Sequence, residues 1–269
     1  MKTPPHVLHV GLRGAFPAAG TPGRPPVILL PAFPLTSRMW GPLERELAAR
    51  GITAHGFDYP GFGTTPLWPD AEPSIDAIAD AAVATLRGGI GVSAAHWVGC
   101  SMGGYVALAI AERHPGAVAG LGLLDTRSGA DDDAKRAARL EAARSIEGET
   151  TFPAPREAAE GLVGLLGERR EAVVDEAAAI IALTLPRAAA WGQRAMAGRP
   201  DRTAVLEAFR GPSVVAWGSL DAVTSRDDAD RIARALGSPT VVIEGVGHLS
   251  PIEAPEATAA AVATLFERP

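Results

Sequence analysis

Residues 99–103, Gly-Cys-Ser-Met-Gly, match the pattern G-x-S-x-G. Within "HWVGCSMGGYVALAIAERHP" (96–115), an apolar run precedes this pattern and a helix-like run follows it. Glycines at both ends of the pattern let a strand turn sharply into a helix, which would expose the hydroxyl of Ser101 at the carboxyl end of the strand. That position suits a nucleophile. A serine at such a joint is also typical of a plain helix N-cap, so the catalytic interpretation requires partners.

A serine hydroxyl becomes a good nucleophile when a base removes its proton, so the hypothesis predicts a histidine and a carboxylate at later strand ends. His248, in "EGVGHLSPIEAPE", follows the apolar run 240–244 and is the best-placed histidine. Asp221 ends "VVAWGSLD" and could orient His248, although an aspartate there is also typical of a turn. Asp125, after the apolar run 117–124, is a competing acid. The chain order serine, acid, histidine favours Asp221.

The elements that must position these residues alternate between short apolar runs and longer helix-like segments. This alternation is typical of parallel strands joined by crossover helices. Strands are predicted at 27–33, 52–63, the first part of 96–115, 117–126, 212–221 and 240–244. Helices are predicted at 38–51, 74–89 with Ser74 as N-cap, the second part of 96–115, 226–237 and 254–267. From about 130 to 210 the periodicity is helical without a convincing strand, which indicates a helical insertion.

Composition excludes several classes of protein. The 31 acidic and 25 basic residues give a formal net charge of −6, and no basic run could follow a phosphate backbone, so we expect no nucleic-acid partner. A single cysteine, Cys100, excludes an internal disulfide framework and a cysteine zinc cluster. Because Cys100 neighbours Ser101 on a strand and points to the opposite face, a buried structural thiol is favoured over a nucleophile. No apolar stretch resembles a signal peptide or a membrane span, so we expect a cytoplasmic protein without membrane contact.

Taken together, these segments resemble the α/β-hydrolase superfamily, specifically its small esterase and lactonase branch, which also contains cofactor-free haloperoxidases or perhydrolases. The resemblance covers nearly the whole chain, and "GLLDTRSGADDDAKRAAR" is similar to beta-ketoadipate enol-lactonases. It implies an α/β fold with a mostly parallel, doubly wound sheet and an inserted helical cap. The core would comprise residues 1–127 and 205–269, and the cap residues 128–204. The segments that carry the resemblance are "VILLPAFPLTSRMW", "DYPGFG", "GCSMGGYVALAIAERHP", "LGLLDT", "VVAWGSLDAVTS" and "GVGHLSPIEAPE".

The resemblance also implies an oxyanion hole made of two backbone N–H groups. One belongs to Met102, the residue after the nucleophile, and the other to Phe33, after the first predicted strand. The sequence departs from its relatives here, because Pro31-Ala32 stands where they usually carry His-Gly. This exchange removes the conformational freedom of the glycine and a histidine that often braces the loop, so a less efficient site is expected.

Several apolar side chains could line an acyl pocket, although residues at helical spacing are also typical of plain core. The candidates for substrate binding are Trp40, Trp191 and Met196, together with Met39 and Leu183. Arg127, close to Asp125, could meet a carboxylate of a substrate or form a surface ion pair.

These observations predict acyl transfer from a small ester or lactone to water, with neither a metal nor an organic cofactor. Two hypotheses keep the same residues and change the chemistry: peroxide as the acceptor, which yields a peracid, or hydrolysis of a carbon–carbon bond in a diketone. A third hypothesis is a hydrolase fold kept as a ligand receptor or biosynthetic accessory protein with little turnover, which the Pro31-Ala32 exchange would favour.

Overall fold

The computed structural model describes residues 7–10 and 25–267. Its strands are β1 His9–Val10, β2 Val27–Leu30, β3 Ala54–Asp58, β4 Ala95–Cys100, β5 Val118–Leu124, β6 Ser213–Gly218 and β7 Thr240–Ile243. They form one seven-stranded sheet in the order β1-β3-β2-β4-β5-β6-β7. Strands β2 to β7 are parallel, and β1 pairs antiparallel with β3 at one edge. The predicted mostly parallel α/β sheet is therefore confirmed, and β1 is an addition that the sequence pattern does not predict.

Helices cover both faces of this sheet. They are α1 Gly41–Ala49, α2 Ile75–Thr85, α3 Met102–Arg113, α4 Asp133–Glu147, α5 Pro155–Glu160, α6 Arg170–Ile181, α7 Pro186–Ala197, α8 Thr203–Ala208, α9 Arg226–Leu236, α10 Ser250–Glu253 and α11 Pro255–Ala263. Ile28 and Leu30 of β2 pack into one core with α2 and α3, whereas Val27 and Leu29 pack into the other core with α1 and α11. Strands buried on both faces read as continuous apolar runs, which is why the sequence locates them.

The ends of several elements differ from the predicted ones for local reasons. Strand β2 stops at Leu30 because the next residue, Pro31, has no N–H to donate to a neighbouring strand. Ser74 is the N-cap of α2 as predicted, and its hydroxyl accepts hydrogen bonds from the N–H groups of Asp76 (3.1 Å) and Ala77 (3.4 Å). Helix α2 ends at Thr85 and continues as a π-helical turn over Leu86–Ile90.

The segment between β5 and β6 contains α4 to α8 and, in the part of the chain that the structure describes, no strand. Helices α4 and α7 pack together through Ala143, Ile146, Ala189 and Ala190, which form a small separate core. Helix α8 instead packs on α9 and α3 of the main layer. The division into a core and a cap at residues 128 and 204 stays a prediction.

Within the described ranges, no helix combines the length and the apolar character needed to cross a lipid bilayer.

Candidate active site

Ser101 lies at the sharp turn between β4 and α3. Its φ of 54° and ψ of −115° are unusual for a residue with a side chain and cost about 1–3 kcal/mol. The surrounding backbone fixes this conformation. The Ser101 N–H donates to the carbonyl of Leu124 (3.0 Å), and the Ser101 carbonyl accepts from the N–H of Gly104 (2.9 Å) and the hydroxyl of Thr126 (2.7 Å). The turn therefore holds Ser101 at the carboxyl ends of β4 and β5.

The two glycines of the G-x-S-x-G pattern are required by close backbone packing. A Cβ atom at Gly103 would lie 1.9 Å from the carbonyl oxygen of Leu30, and one at Gly99 would lie 2.2 Å from the backbone of Gly103. Both distances are far below van der Waals contact, so a larger residue at either position would push α3 away from the sheet. The pattern thus sets how closely the helix that follows Ser101 approaches β2.

Cys100 points away from this turn into the core on the opposite face of the sheet, as predicted. It is fully buried, and its Sγ donates to the carbonyl of His248 at 3.5 Å. Burial raises the pKa of the thiol well above its usual value, which disfavours the reactive thiolate.

His248 and Asp221 form a buried pair at the same end of the sheet. The Nδ1 atom of His248, in the segment between β7 and α10, is 2.9 Å from Oδ2 of Asp221, which follows β6. Asp221 Oδ1 accepts hydrogen bonds from the N–H groups of Val223 (2.7 Å) and Thr224 (3.1 Å), and Oδ2 accepts one from the Thr224 hydroxyl. Burial alone would raise the pKa of Asp221, but the hydrogen bonds from His248 and Thr224 outweigh it and lower the pKa. The carboxylate is therefore kept ionised beside the imidazole.

The competing acid, Asp125, is engaged elsewhere. Its Oδ1 accepts from the N–H of Gly218 (2.8 Å), and its Oδ2 accepts from the hydroxyl of Ser250 (2.5 Å). Complete burial raises the pKa of Asp125 to about 7, in spite of the opposing effects of His248 and Ser250. Of the two candidate acids, the structure brings Asp221 into hydrogen-bond contact with His248 and uses Asp125 to join β6 to the segment that carries Ser250.

A buried carboxylate that the sequence reasoning missed organises the histidine segment. Glu253 is 1% exposed and accepts hydrogen bonds from the N–H groups on both sides of His248, those of Gly247 (2.8 Å) and Leu249 (2.9 Å). It also accepts from the N–H groups of Gly164 (3.0 Å) and Leu165 (2.7 Å). Glu253 therefore ties the histidine segment to the loop between α5 and α6. The four donors are remote or irregular in sequence, so no local pattern identifies this role.

The two predicted oxyanion donors lie near Ser101. Met102 is the first residue of α3, where the backbone N–H has no helical partner. Phe33 and Pro34 are the central residues of a turn closed by a hydrogen bond from the Leu35 N–H to the Ala32 carbonyl (2.8 Å). The turn does not use the N–H of Phe33. Phe33 and Ser101 line the same cavity.

Other side chains make hydrogen bonds to the loop that contains Pro31 and Ala32. The hydroxyl of Tyr59 donates to the Pro31 carbonyl (2.9 Å), and the Thr184 hydroxyl donates to the Pro34 carbonyl (2.8 Å). The Ala32 N–H donates to Sδ of Met39 (3.2 Å). Tyr59, within "DYPGFG", is a second residue that the sequence reasoning missed. Tyr59 thus bonds directly to this loop, and the expectation of a less efficient site stays a prediction.

Ser101 and His248 line one cavity of about 320 Å³. Its other lining residues are Phe33, Pro34, Tyr105, Arg127, Lys135, Arg139, Phe152, Ala158, Leu162, Gln193, Met196 and Val223. Of the three predicted substrate-binding residues, Met196 lies in this cavity, as does Arg127.

The substrate-binding predictions for Trp40 and Trp191 need correction, because neither residue lines the cavity of Ser101. Trp40 is fully buried in the core on the α1 face of the sheet. Trp191 packs edge-on against Trp68, and its Nε1 donates to the Ala71 carbonyl at 3.3 Å. Since Trp191 and Met196 are five residues apart on α7, they point about 140° apart around the helix axis, and only Met196 faces the cavity.

The two further pocket candidates also lie elsewhere. Met39 is fully buried, and its Sδ accepts the hydrogen bond from the Ala32 N–H. Leu183 is 48% exposed on the surface.

Within residues 7–10 and 25–267, no group of three or more His, Cys, Asp or Glu side chains is arranged to hold a metal ion.

Comparison with known proteins identifies the family of this chain. Residues 27–261 match the sequence profile of the α/β hydrolase family, and the chain belongs to this family. The resemblance found in the sequence is confirmed. No curated protein matches the chain by sequence.

Solved structures with this fold include enzymes of the three expected kinds. A thermophilic esterase from Thermogutta terrifontis, with malate bound, is 29% identical over 97% of this chain and 98% of its own, with a TM-score of 0.84. An enol-lactonase from Burkholderia xenovorans LB400 is 22% identical over 97% and 96% of the two chains (TM-score 0.78). A bromoperoxidase from Bacillus anthracis is 18% identical over 93% of each chain (TM-score 0.78). The last two similarities establish the fold alone.

A first prediction concerns the pH dependence of stability. Because the pKa of Asp125 is about 7 in the folded chain and ~3.9 in an unfolded one, the folded chain holds the extra proton between these values. This contribution to stability is present below pH ~4 and is lost as the pH rises through 7. Asp125→Asn removes the titration, since a neutral amide can still accept from Gly218 and donate to Ser250. We expect the free energy of unfolding of the variant, relative to the wild type, to rise by about 2 kcal/mol from pH 5 to pH 7.

Urea unfolding at both pH values measures this difference, with the exposed Asp70→Asn as the control. A difference that stays constant between pH 5 and pH 7 would show that Asp125 does not titrate in this range.

A second prediction concerns Glu253. The change Glu253→Gln replaces one acceptor oxygen by an amide N–H₂ group, which leaves at least one buried N–H without a partner. We expect the free energy of unfolding to fall by about 2 kcal/mol in urea denaturation. The exposed Glu256→Gln, in the following helix, is the matched control and should change it by less than about 0.5 kcal/mol. Equal effects of the two substitutions would contradict the role assigned to Glu253.

Proposed function

We propose that this protein is a serine hydrolase that cleaves a small carboxylic ester or lactone through an acyl-enzyme on Ser101. The observation that carries the proposal is the buried His248–Asp221 pair on the cavity that Ser101 also lines. The membership of the α/β hydrolase family and the 29% identity with an esterase support the ester substrate. A cavity of about 320 Å³ fits a small molecule.

In the proposed reaction, Nε2 of His248 takes the hydroxyl proton of Ser101 while Oγ attacks the carbonyl carbon of the substrate. The ionised Asp221 accepts from Nδ1–H, which fixes the tautomer of His248 and stabilises the imidazolium that forms. The backbone N–H groups of Met102 and Phe33 donate to the oxygen that becomes negative. When the tetrahedral intermediate collapses, the carbon–oxygen bond to the alcohol breaks, and His248 gives its proton to the departing oxygen.

Water completes the cycle. His248 accepts a proton from a water molecule, whose oxygen attacks the acyl carbon, and the bond to Ser101 Oγ then breaks. The proton returns to Oγ and the carboxylic acid is released. With a lactone, the alcohol formed in the first half remains attached to the acyl group, so one hydroxy acid leaves in the second half. All groups required are present in the protein or in water, and no cofactor takes part in the proposed steps.

The proposed nucleophile is tested by covalent labelling. A fluorophosphonate should react stoichiometrically with Ser101, as read by mass spectrometry of the peptide that contains it, and should abolish hydrolysis of p-nitrophenyl butyrate. The variant Ser101→Ala should neither be labelled nor hydrolyse the ester above about 0.1% of the wild-type rate. Ser128→Ala is the control for loss of a buried hydroxyl. Labelling at another residue, or a folded wild type that is neither labelled nor active, would overturn the proposal.

The choice of acid is tested by a matched pair of substitutions. We expect Asp221→Asn to lower kcat by roughly 10³–10⁴-fold, because the amide can no longer hold the reactive tautomer of His248. Asp125→Asn should lower kcat by less than about tenfold, since Asp125 bonds to Gly218 and Ser250 and not to the imidazole. Steady-state kinetics on one p-nitrophenyl ester decides between them. A larger effect at Asp125 would assign the acid to that residue.

A further inference from the structure

One side of the cavity of Ser101 is cationic. Arg127, Lys135 and Arg139 line it, and we call these three residues the cationic wall. Within the described parts of the chain, no carboxylate is among the lining residues. The formal net charge of the chain is −6, so this cluster of positive charge is opposite in sign to the net charge of the protein. The remaining lining is largely apolar, with Phe33, Phe152 and other side chains of that kind.

Lys135 is the most unusual member of the cationic wall. The chain has only two lysines, Lys2 and Lys135, among 25 basic residues. Within the described residues, no hydrogen bond or ion pair engages its ammonium group, although the side chain is half-buried in the first turn of α4. Burial first, and then Arg127 and Arg139, lower the pKa of Lys135. Together they outweigh Asp131 and Asp228, which raise this pKa. The nearby carboxylate of Asp132 accepts from the backbone N–H of Lys135 (2.7 Å) as the helix cap.

The two arginines of the cationic wall are fixed by hydrogen bonds, and some of their N–H groups have no partner among the described residues. Nη2 of Arg127 donates to the Val223 carbonyl (2.5 Å), while its Nε is buried without a partner in the described structure. The nearest carboxylate oxygen to Arg127, of Asp228, is 3.9 Å away. In the described part of the chain, Arg127 therefore has one long ion pair, with Asp228, and an Nε–H that is left without a hydrogen-bond partner.

Arg139 is fixed more firmly. Its Nε donates to Oδ2 of Asp131 (2.6 Å), and its Nη1 donates to Oε1 of Gln193 (3.1 Å). Asp131 is shared with a second guanidinium, that of Arg199, at 2.8 Å. One carboxylate thus serves two cations, which leaves positive charge on this side of the cavity uncompensated.

Two features of α4 favour a further anion beside the cationic wall. Lys135 and Arg139 are four residues apart on one face of α4, where like charges repel, and a cation in the first turn opposes the helix dipole. An anion placed between the ammonium and the guanidinium groups would offset both effects and form charge-assisted hydrogen bonds.

We propose that the cationic wall binds a carboxylate of the substrate itself, so that the preferred substrate is an ester or lactone that carries a second, free carboxylate. This inference rests on the proposed function and adds the class of substrate. The planar carboxylate matches the fork of an arginine and the point charge of a lysine. Since the cavity is about 320 Å³, the carboxylate lies only a few carbon atoms from the bond that is cleaved.

The kinetic test uses two methyl esters of equal length. Monomethyl glutarate and methyl pentanoate differ only in a terminal carboxylate or methyl group. We expect kcat/KM of the wild type to be roughly tenfold or more higher for monomethyl glutarate. Lys135→Gln should lower this ratio by about tenfold, and Lys135→Arg, which keeps the charge, should retain most of it. The exposed Arg136→Gln, next to Lys135 on α4 and outside the cavity, should leave the ratio unchanged.

The proposal is overturned if the wild type prefers methyl pentanoate, or if Arg136→Gln and Lys135→Gln change the ratio equally.

A binding measurement tests the carboxylate site independently of the proposed hydrolysis. Calorimetry with Ser101→Ala should detect saturable binding of glutarate, and pentanamide should bind at least about tenfold more weakly. Adding Lys135→Gln should weaken glutarate binding by about tenfold, and adding Arg136→Gln should not. If neither ester is hydrolysed and Ser101 is not labelled, the proposed function fails, and the glutarate titration still decides on the cationic wall. Equal affinity for glutarate and pentanamide would refute the carboxylate site.

Discussion

The close approach of α3 to the sheet is the constraint on which the site depends. A Cβ atom at Gly103 would lie 1.9 Å from the carbonyl oxygen of Leu30, so only glycine lets the helix begin this close to β2. The strained backbone of Ser101 lies immediately before this closely packed start of α3. The hydrogen bonds to Leu124 and Thr126 then hold that turn. One steric condition thus positions the hydroxyl and one N–H donor together.

The parallel sheet supplies the remaining groups. Because the carboxyl ends of parallel strands meet at one edge, the residues that follow β4, β5, β6 and β7 are brought together although they are far apart in sequence. Two carboxylates arrive there with different environments. Asp221 receives a hydrogen bond from His248 and stays ionised, whereas burial raises the pKa of Asp125 to about 7. Their different surroundings thus give the two carboxyl groups different roles. Asp221 is an anion beside the imidazole of His248, whereas Asp125 connects two segments of backbone.

The sequence was informative where one local pattern implies one position in the fold. The apolar runs located β2 to β7, and chain order placed Ser101, Asp221 and His248 at strand ends. It is uninformative where a role depends on which face a helical residue presents. The sequence does not distinguish Trp191 from Met196, although only Met196 faces the cavity. It also missed Glu253 and Tyr59, because their partners belong to loops whose paths are set by tertiary packing. Nothing in the local sequence specifies a carboxylate that accepts four backbone N–H groups.

The cationic wall and His248 line the same cavity. In the proposed reaction His248 becomes positive, in a cavity that Arg127, Lys135 and Arg139 already make positive. Asp221 compensates one charge, Asp131 is shared between Arg139 and Arg199, and Asp228 lies 3.9 Å from Arg127. A carboxylate on the substrate would neutralise part of the wall and so reduce the repulsion felt by the imidazolium as it forms. A substrate without that carboxylate would leave the full repulsion in place at the transition state. We therefore expect such a substrate to have a lower kcat as well as a higher KM.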